Sequence, residues 1–303
     1  MLTRRRFIAI SAALAPSMTL APMTLARTPD LHIETGTALG AKITLRLQHP
    51  DAARLAAQAM DEIRRLEKIF SLYLPDSALA RLNRDGQLLA PPFELLECLA
   101  IAGAVHFASD GHFDPTVQPL WRVEAQARLT GTLLSDEDRA AARSLIDWAA
   151  VNYTPDAITL RPGMALTLNG IAQGYIADRV AEFLAGHGLT HALIDTGELF
   201  ALPEGSWPVE LASGGSVPLR NRALATSAPL GMTFGGDGQT SHILDPLTGR
   251  PVNIRWRLIS ISAPSAALAD AVSTAGCVAR DLEDLAALCD RISGARIEAA
   301  VPA

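Results

Sequence analysis

Two segments about a hundred residues apart constrain this chain most: Leu168-Asn-Gly-Ile-Ala-Gln-Gly-Tyr175 and Asp270-Ala-Val-Ser-Thr274. The first reads as a turn that opens onto a helix. Gly170 and Gly174 let the backbone approach a ligand closely, and the amides of the first helical turn would face an anion such as phosphate. The second places Asp270 and Thr274 at i and i+4, on one face of a helix. Hard divalent cations take oxygen ligands of this kind, often beside phosphates. The spacing alone is common by chance. The surroundings sharpen it, because Leu268, Ala269, Ala271, Val272 and Ala275 make a setting in which a lone carboxylate needs a partner. The expectation is a phosphate cradle with magnesium ligands at Asp270, Thr274 and a backbone carbonyl near Gly170.

The 303 residues are enough for a large core, in one big domain or two intimately packed ones, and 49% hydrophobic content is that of a globular chain. A net charge of -6 offers no basic field for nucleic acid or an anionic membrane. Any phosphate site is therefore local. Residues 1–26 read as an export signal: Thr3-Arg4-Arg5-Arg6-Phe7-Ile8, an apolar run from Ala9 to Leu25, then Ala26 as a small residue for cleavage. Paired arginines before Phe7 resemble a twin-arginine signal, so residues 27–303 are expected to act in the periplasm. No other apolar stretch approaches the ~20 residues of a spanning helix. Cys98, Cys277 and Cys289 lack zinc spacing and read as buried free thiols, with a Cys277–Cys289 bridge as the alternative.

Along the mature part, Leu31 to Leu47 reads as a hairpin turning near Gly40. Apolar residues at Leu55, Ala59, Ile63, Leu66 and Phe70 predict a helix with Asp51 as its cap. Further helices are expected at 93–109, from Ser135, at 170–184, around Asp270 and at 282–292. Strands are expected at 191–195, 208–211, 223–227, 241–244, 258–262 and near Ile297. This irregular alternation, with adjacent strand pairs, favours an α+β fold over a regularly wound parallel sheet.

Six blocks, in order, resemble the ApbE family of FAD:protein FMN transferases, and within it the NosX-like branch linked to nitrous oxide reductase maturation. They are Phe70-Ser-Leu-Tyr73 with Ser77 and Asn83; Gly111-His-Phe-Asp-Pro-Thr116 with Pro119-Leu120; Asn169 to Asp178; Thr226-Ser227; His242-Ile-Leu-Asp-Pro-Leu-Thr-Gly249; and Ala269 to Thr274. The resemblance implies an ApbE-like (T-fold-like) arrangement of mixed sheets with packed helices. It also implies magnesium-assisted transfer of FMN from FAD to a threonine hydroxyl of an acceptor flavoprotein, with release of AMP. A NosR-like regulator, or an Rnf- or Nqr-type subunit, would be that acceptor.

On the same resemblance, Tyr73 contacts flavin, His112, Phe113 and Asp114 form a loop against it, and Asp270 and Thr274 hold the metal. Thr167, Gln173, His242 and Ile243 complete the cofactor contacts. His242 is also the best-placed residue for proton chemistry, and with Asp270 it makes the catalytic pair. Asp245 reads as a turn device. Two positions depart from the family: Gln173 stands where a lysine is usual, and Thr167 where an acid is usual. Gln keeps a donor but loses a charge that would pair with a diphosphate. Two other activities therefore stay open, FAD hydrolysis to FMN and AMP, and flavin binding or delivery without chemistry.

Overall fold

A computed structural model describes residues 30–234 and 238–303; the stretch 1–26, expected to be an export signal, lies outside the described residues. Seven strands form the main sheet: β1 (Leu31–Ala38), β2 (Ala41–Gln48), β3 (Ala192–Asp195), β4 (Leu199–Ala201), β5 (Arg222–Ser227), β6 (Trp256–Ala263) and β7 (Arg296–Pro302). They lie side by side in chain order. Each neighbouring pair is antiparallel. The fold is α+β as expected, and the pairing among the described residues is antiparallel rather than mixed.

Among the described residues eight helices accompany the sheet: α1 (Ala52–Phe70), α2 (Ala78–Asp85), α3 (Phe93–Ala108), α4 (Gln118–Leu129), α5 (Asp136–Arg143), α6 (Ala172–Gly186), α7 (Ala266–Gly276) and α8 (Leu282–Asp290). Local chemistry explains several boundaries. Leu39 and Gly40 take positive φ, +50° and +75°, the backbone that a tight β1–β2 turn demands. Leu55, Ala59, Ile63, Leu66 and Phe70 all face inward from α1. The predicted cap Asp51 makes no capping bond and pairs with Arg54 instead. Ser135 does cap α5, accepting from the Asp138 amide.

Helix α6 packs against both α1 and α7, and all three lie on the sheet: α1 on β1 and β2, α6 on β3 and β4, α7 on β5 and β6. Side chains alternate across a strand, so Ile194 joins the main core while Leu193 joins a smaller cluster with Leu224, Val209 and Leu219. The hairpin of Trp207–Glu210 and Ser216–Leu219 supplies the last two. All three cysteines are free and buried. No helix among the described residues is long and apolar enough to cross a membrane.

Candidate active site

The site begins where α6 meets α7. A Cβ at Gly174 would stand 2.2 Å from the Ala266 carbonyl oxygen, so this glycine is what lets the two helices touch. It serves helix packing, not the approach to a ligand that the sequence suggested. Four residues later, Asp178 ties the same pair together. Its carboxylate accepts from the Ala266 amide at 2.7 Å, the Ala267 amide at 2.9 Å and the Ser265 hydroxyl at 2.7 Å. Those amides belong to the first turn of α7, which otherwise lacks partners. Burial, opposed by these three donors, still pushes Asp178 up to about 6.

With α7 fixed in this way, Asp270 points at the N-terminus of α6. It is 3% exposed, in a helix buried almost all round. Its one hydrogen bond is long, 3.4 Å from the Gly174 amide. Burial pushes its carboxyl up to about 8, with the charge of Asp178 adding to the effect and the Gly174 amide opposing it. The phosphate cradle is smaller than the sequence implied. The Ile171 and Ala172 amides are already bonded to Leu168, and the Gly174 amide faces Asp270.

These elements line a cleft of about 480 Å³. Around it stand Tyr73, His112, Phe113, Asp114, Thr167, Gly170, Gln173, His242, Ile243, Asp270 and Thr274, gathered from five stretches of chain. Tyr73 is 71% exposed and gives a free aromatic face at the rim. Phe113 is nearly buried and belongs to the core as much as to the cleft. Asp114 turns inward: one oxygen takes both the amide and the hydroxyl of Thr116, and the other lies 3.4 Å from His106. That is a cap with a cleft-lining backbone. His112 Nδ1 stands 3.7 Å from Asp245, too far for a hydrogen bond. Asp245 itself bonds the Leu247 amide and the Thr248 hydroxyl, the turn device expected of it. Thr167 accepts from the Asn169 amide at 3.3 Å.

His242 Nδ1 bonds the Met232 carbonyl at 2.7 Å. In the neutral ring that nitrogen then carries the proton, which leaves Nε2 as an acceptor. Burial lowers its pKa, outweighing the Met232 and Pro229 carbonyls, so the ring is neutral under ordinary conditions.

The fit to a divalent cation rests on three groups. A Cβ at Gly170 would lie 2.9 Å from Thr274 Oγ1, so the Gly170 backbone closes directly on that hydroxyl. Ser227 holds the hydroxyl from behind, bonding Ser273 at 2.7 Å and Thr274 at 3.3 Å. Asp270, nearly unpartnered, supplies the carboxylate. Among the described residues no cluster of three or more His, Cys, Asp or Glu groups exists, so a cation here would draw on hydroxyl and carbonyl oxygens too. Oxygen-only sets of this kind suit magnesium.

Two further lining residues escaped the sequence reading, Trp121 and Glu198, while Ser227 belongs to the Thr226-Ser227 block and acts as a support. Trp121 donates to the His242 carbonyl at 3.2 Å and steadies that segment. Glu198 has a pKa raised well above the ordinary value by burial and by the charge of Asp270, against a hydrogen bond from the Thr226 amide. The cleft thus carries three carboxylates and two histidines, and neither lysine nor arginine lines it.

An antiparallel sheet backed by helices, with an acid-lined cleft between the ends of α6 and α7, defines the class of protein. The pattern of the ApbE family matches residues 38–299, and the chain belongs to that family. It is 28% identical over 233 residues to the FAD:protein FMN transferase of Klebsiella pneumoniae (strain 342), covering 71% of this chain and 72% of that one. It is 30% identical over 241 residues to that of Treponema pallidum (strain Nichols), covering 69% and 67%. The apo crystal structure of the Pseudomonas stutzeri flavinyl transferase ApbE superposes with a TM-score of 0.75 at 26% identity, over 90% of this chain and 95% of that one.

Proposed function

We propose that this chain is a magnesium-dependent FAD:protein FMN transferase of the periplasm. It would pass FMN from FAD to a threonine hydroxyl of an acceptor flavoprotein and release AMP. The observation that carries the reading is Asp270: a carboxylate 3% exposed, with one long hydrogen bond, facing a cleft without lysine or arginine. A carboxylate so placed calls for a cation, and a diphosphate entering the same cleft calls for one as well. Family membership, the relatives' activity and the export signal support the rest.

In this reading the threonine oxygen attacks the FMN-side phosphorus. The bond from that phosphorus to the bridging oxygen breaks, and AMP leaves with the oxygen. The threonine proton passes to His242 Nε2, the unprotonated nitrogen of the neutral ring. Asp270, Thr274 and the Gly170 backbone would hold a magnesium ion, whose contribution is to neutralise charge on the diphosphate. Tyr73 offers its ring to the isoalloxazine at the rim, and Gln173 a neutral donor near the phosphates. The NosX-like blocks favour a NosR-like acceptor.

The test is incubation of the mature protein with FAD, Mg2+ and a threonine-bearing acceptor fragment, read by intact mass. The expected result is an acceptor heavier by one FMN, with no gain when chelator is present or when Asp270→Ala replaces the wild type. Full transfer by Asp270→Ala would overturn the cation assignment. Steady AMP formation that acceptor does not raise would make the protein a hydrolase. FAD binding without turnover would make it a carrier.

A further inference from the structure

Between β3 and β4 the chain makes a turn through Thr196, Gly197 and Glu198 that is docked onto the first turn of α6. The Thr196 hydroxyl donates to the Gln173 carbonyl at 2.9 Å. Gly197 has φ +103°, and a Cβ there would meet the Gln173 amide at 2.8 Å. The turn is thereby fixed at the end of α6 that Asp270 faces, and Glu198 enters the same cleft. Glu198 from the β3–β4 turn and Asp270 from α7 both line it. Two acids from different elements therefore line one cleft, Asp270 buried and Glu198 half-buried, and neither has a salt bridge among those of the described residues. Like charges lining one small cleft are unfavourable unless a cation lies between them. The nearly unpartnered Asp270 points to the same missing charge.

We propose that Glu198 supplies a second carboxylate to the cation held at Asp270. The cation site would then join the β3–β4 turn to α7, with Thr274 and the Gly170 backbone completing it. Two carboxylates raise the affinity of an oxygen site for a divalent ion over what one provides. They also couple the ion to the position of the turn, and through Thr196 and Gly197 to Gln173. This inference rests on the cation reading above but concerns a residue that reading does not need.

The test uses Mn2+ as the probe on the mature protein, with and without FAD, followed by calorimetry or by the spin-resonance signal of the free ion. Wild type, Asp270→Asn, Glu198→Gln and Glu198→Asp are compared, each with a thermal melt in the absence of metal. Asp270→Asn should lose binding. Glu198→Gln should weaken Mn2+ about tenfold or more, and Glu198→Asp should fall between it and wild type. Glu198→Gln should melt no lower than wild type without metal, because a neutral amide of the same size replaces the acid, while the stabilisation that Mn2+ confers shrinks. A folded Glu198→Gln that binds Mn2+ as wild type does would overturn the proposal and leave the Asp270 site standing. Wild type that binds no Mn2+ with or without FAD would overturn both. A Glu198→Gln that melts well below wild type without metal, with unaltered Mn2+ affinity, would make Glu198 a structural support for Thr226.

Discussion

Asp178 accepts three hydrogen bonds at the start of α7 and still titrates near 6, because burial outweighs the donors. Its folded pKa lies above the ordinary 3.8. Between about pH 4 and 6 the folded state therefore binds more protons than the unfolded one, and stability falls as pH rises through that window. Below it the contribution is fully present. In Asp178→Asn this component of the pH profile should vanish, as a set of melts from pH 4 to 7 would show. Asp178→Ala should be worse than either, losing on the order of 2 kcal/mol or more, since it strands the amides of a buried helix start. A profile for Asp178→Asn that matches wild type would disprove the assignment. His242 gives a different prediction. His242→Ala should slow transfer by roughly 10²–10⁴-fold and leave Mn2+ affinity alone, and the wild-type rate should hold below the ordinary histidine pKa because the ring stays neutral there. An unchanged rate would remove His242 from the chemistry.

At the scale of elements, the contact of α6 with α7 decides where Asp270 points, and Gly174 is its tightest spot. Gly174→Ala puts a methyl group 2.2 Å from a backbone oxygen, so a helix and not a side chain has to move. We expect a loss of at least ~1–3 kcal/mol, as for overpacked cores, together with weaker Mn2+ binding. A stable variant with full Mn2+ affinity would show that the helices adjust freely. The same glycine shows what sequence can and cannot tell. A glycine two residues into a helix signals a close backbone approach, but sequence does not say whether a ligand or another helix makes it. Asp270 was legible because an acid among alanines is costly unless it is used. Glu198 was not, because a three-residue turn between short strands has no periodicity to mark it. The helices α2 and α4 escaped for related reasons: one is a single short stretch, and the other begins at Gln118-Pro119, which reads as an interruption. Tyr73 and His242 were legible only through their motifs, since nothing in the local pattern separates an exposed ring or a lone histidine from ordinary surface.

The whole molecule brings these pieces together through an antiparallel sheet laid down in chain order, with its helices returning across it. Segments near residues 73, 113, 170, 198, 242 and 270 meet in one cleft by that route. The outcome is a site whose lining carries Asp114, Glu198 and Asp270 against two histidines, one of them neutral, with no lysine or arginine. Such a lining offers a diphosphate no lysine or arginine to pair with. In the proposed reading a divalent cation supplies the missing positive charge. The most direct measurement is FAD affinity, by quenching of flavin fluorescence, in chelator and then in saturating Mg2+. Weak binding is expected in chelator, with a gain of at least about tenfold, roughly 1.4 kcal/mol, on adding Mg2+, and no gain in Asp270→Asn. FAD bound as tightly in chelator as in Mg2+ would contradict that reading.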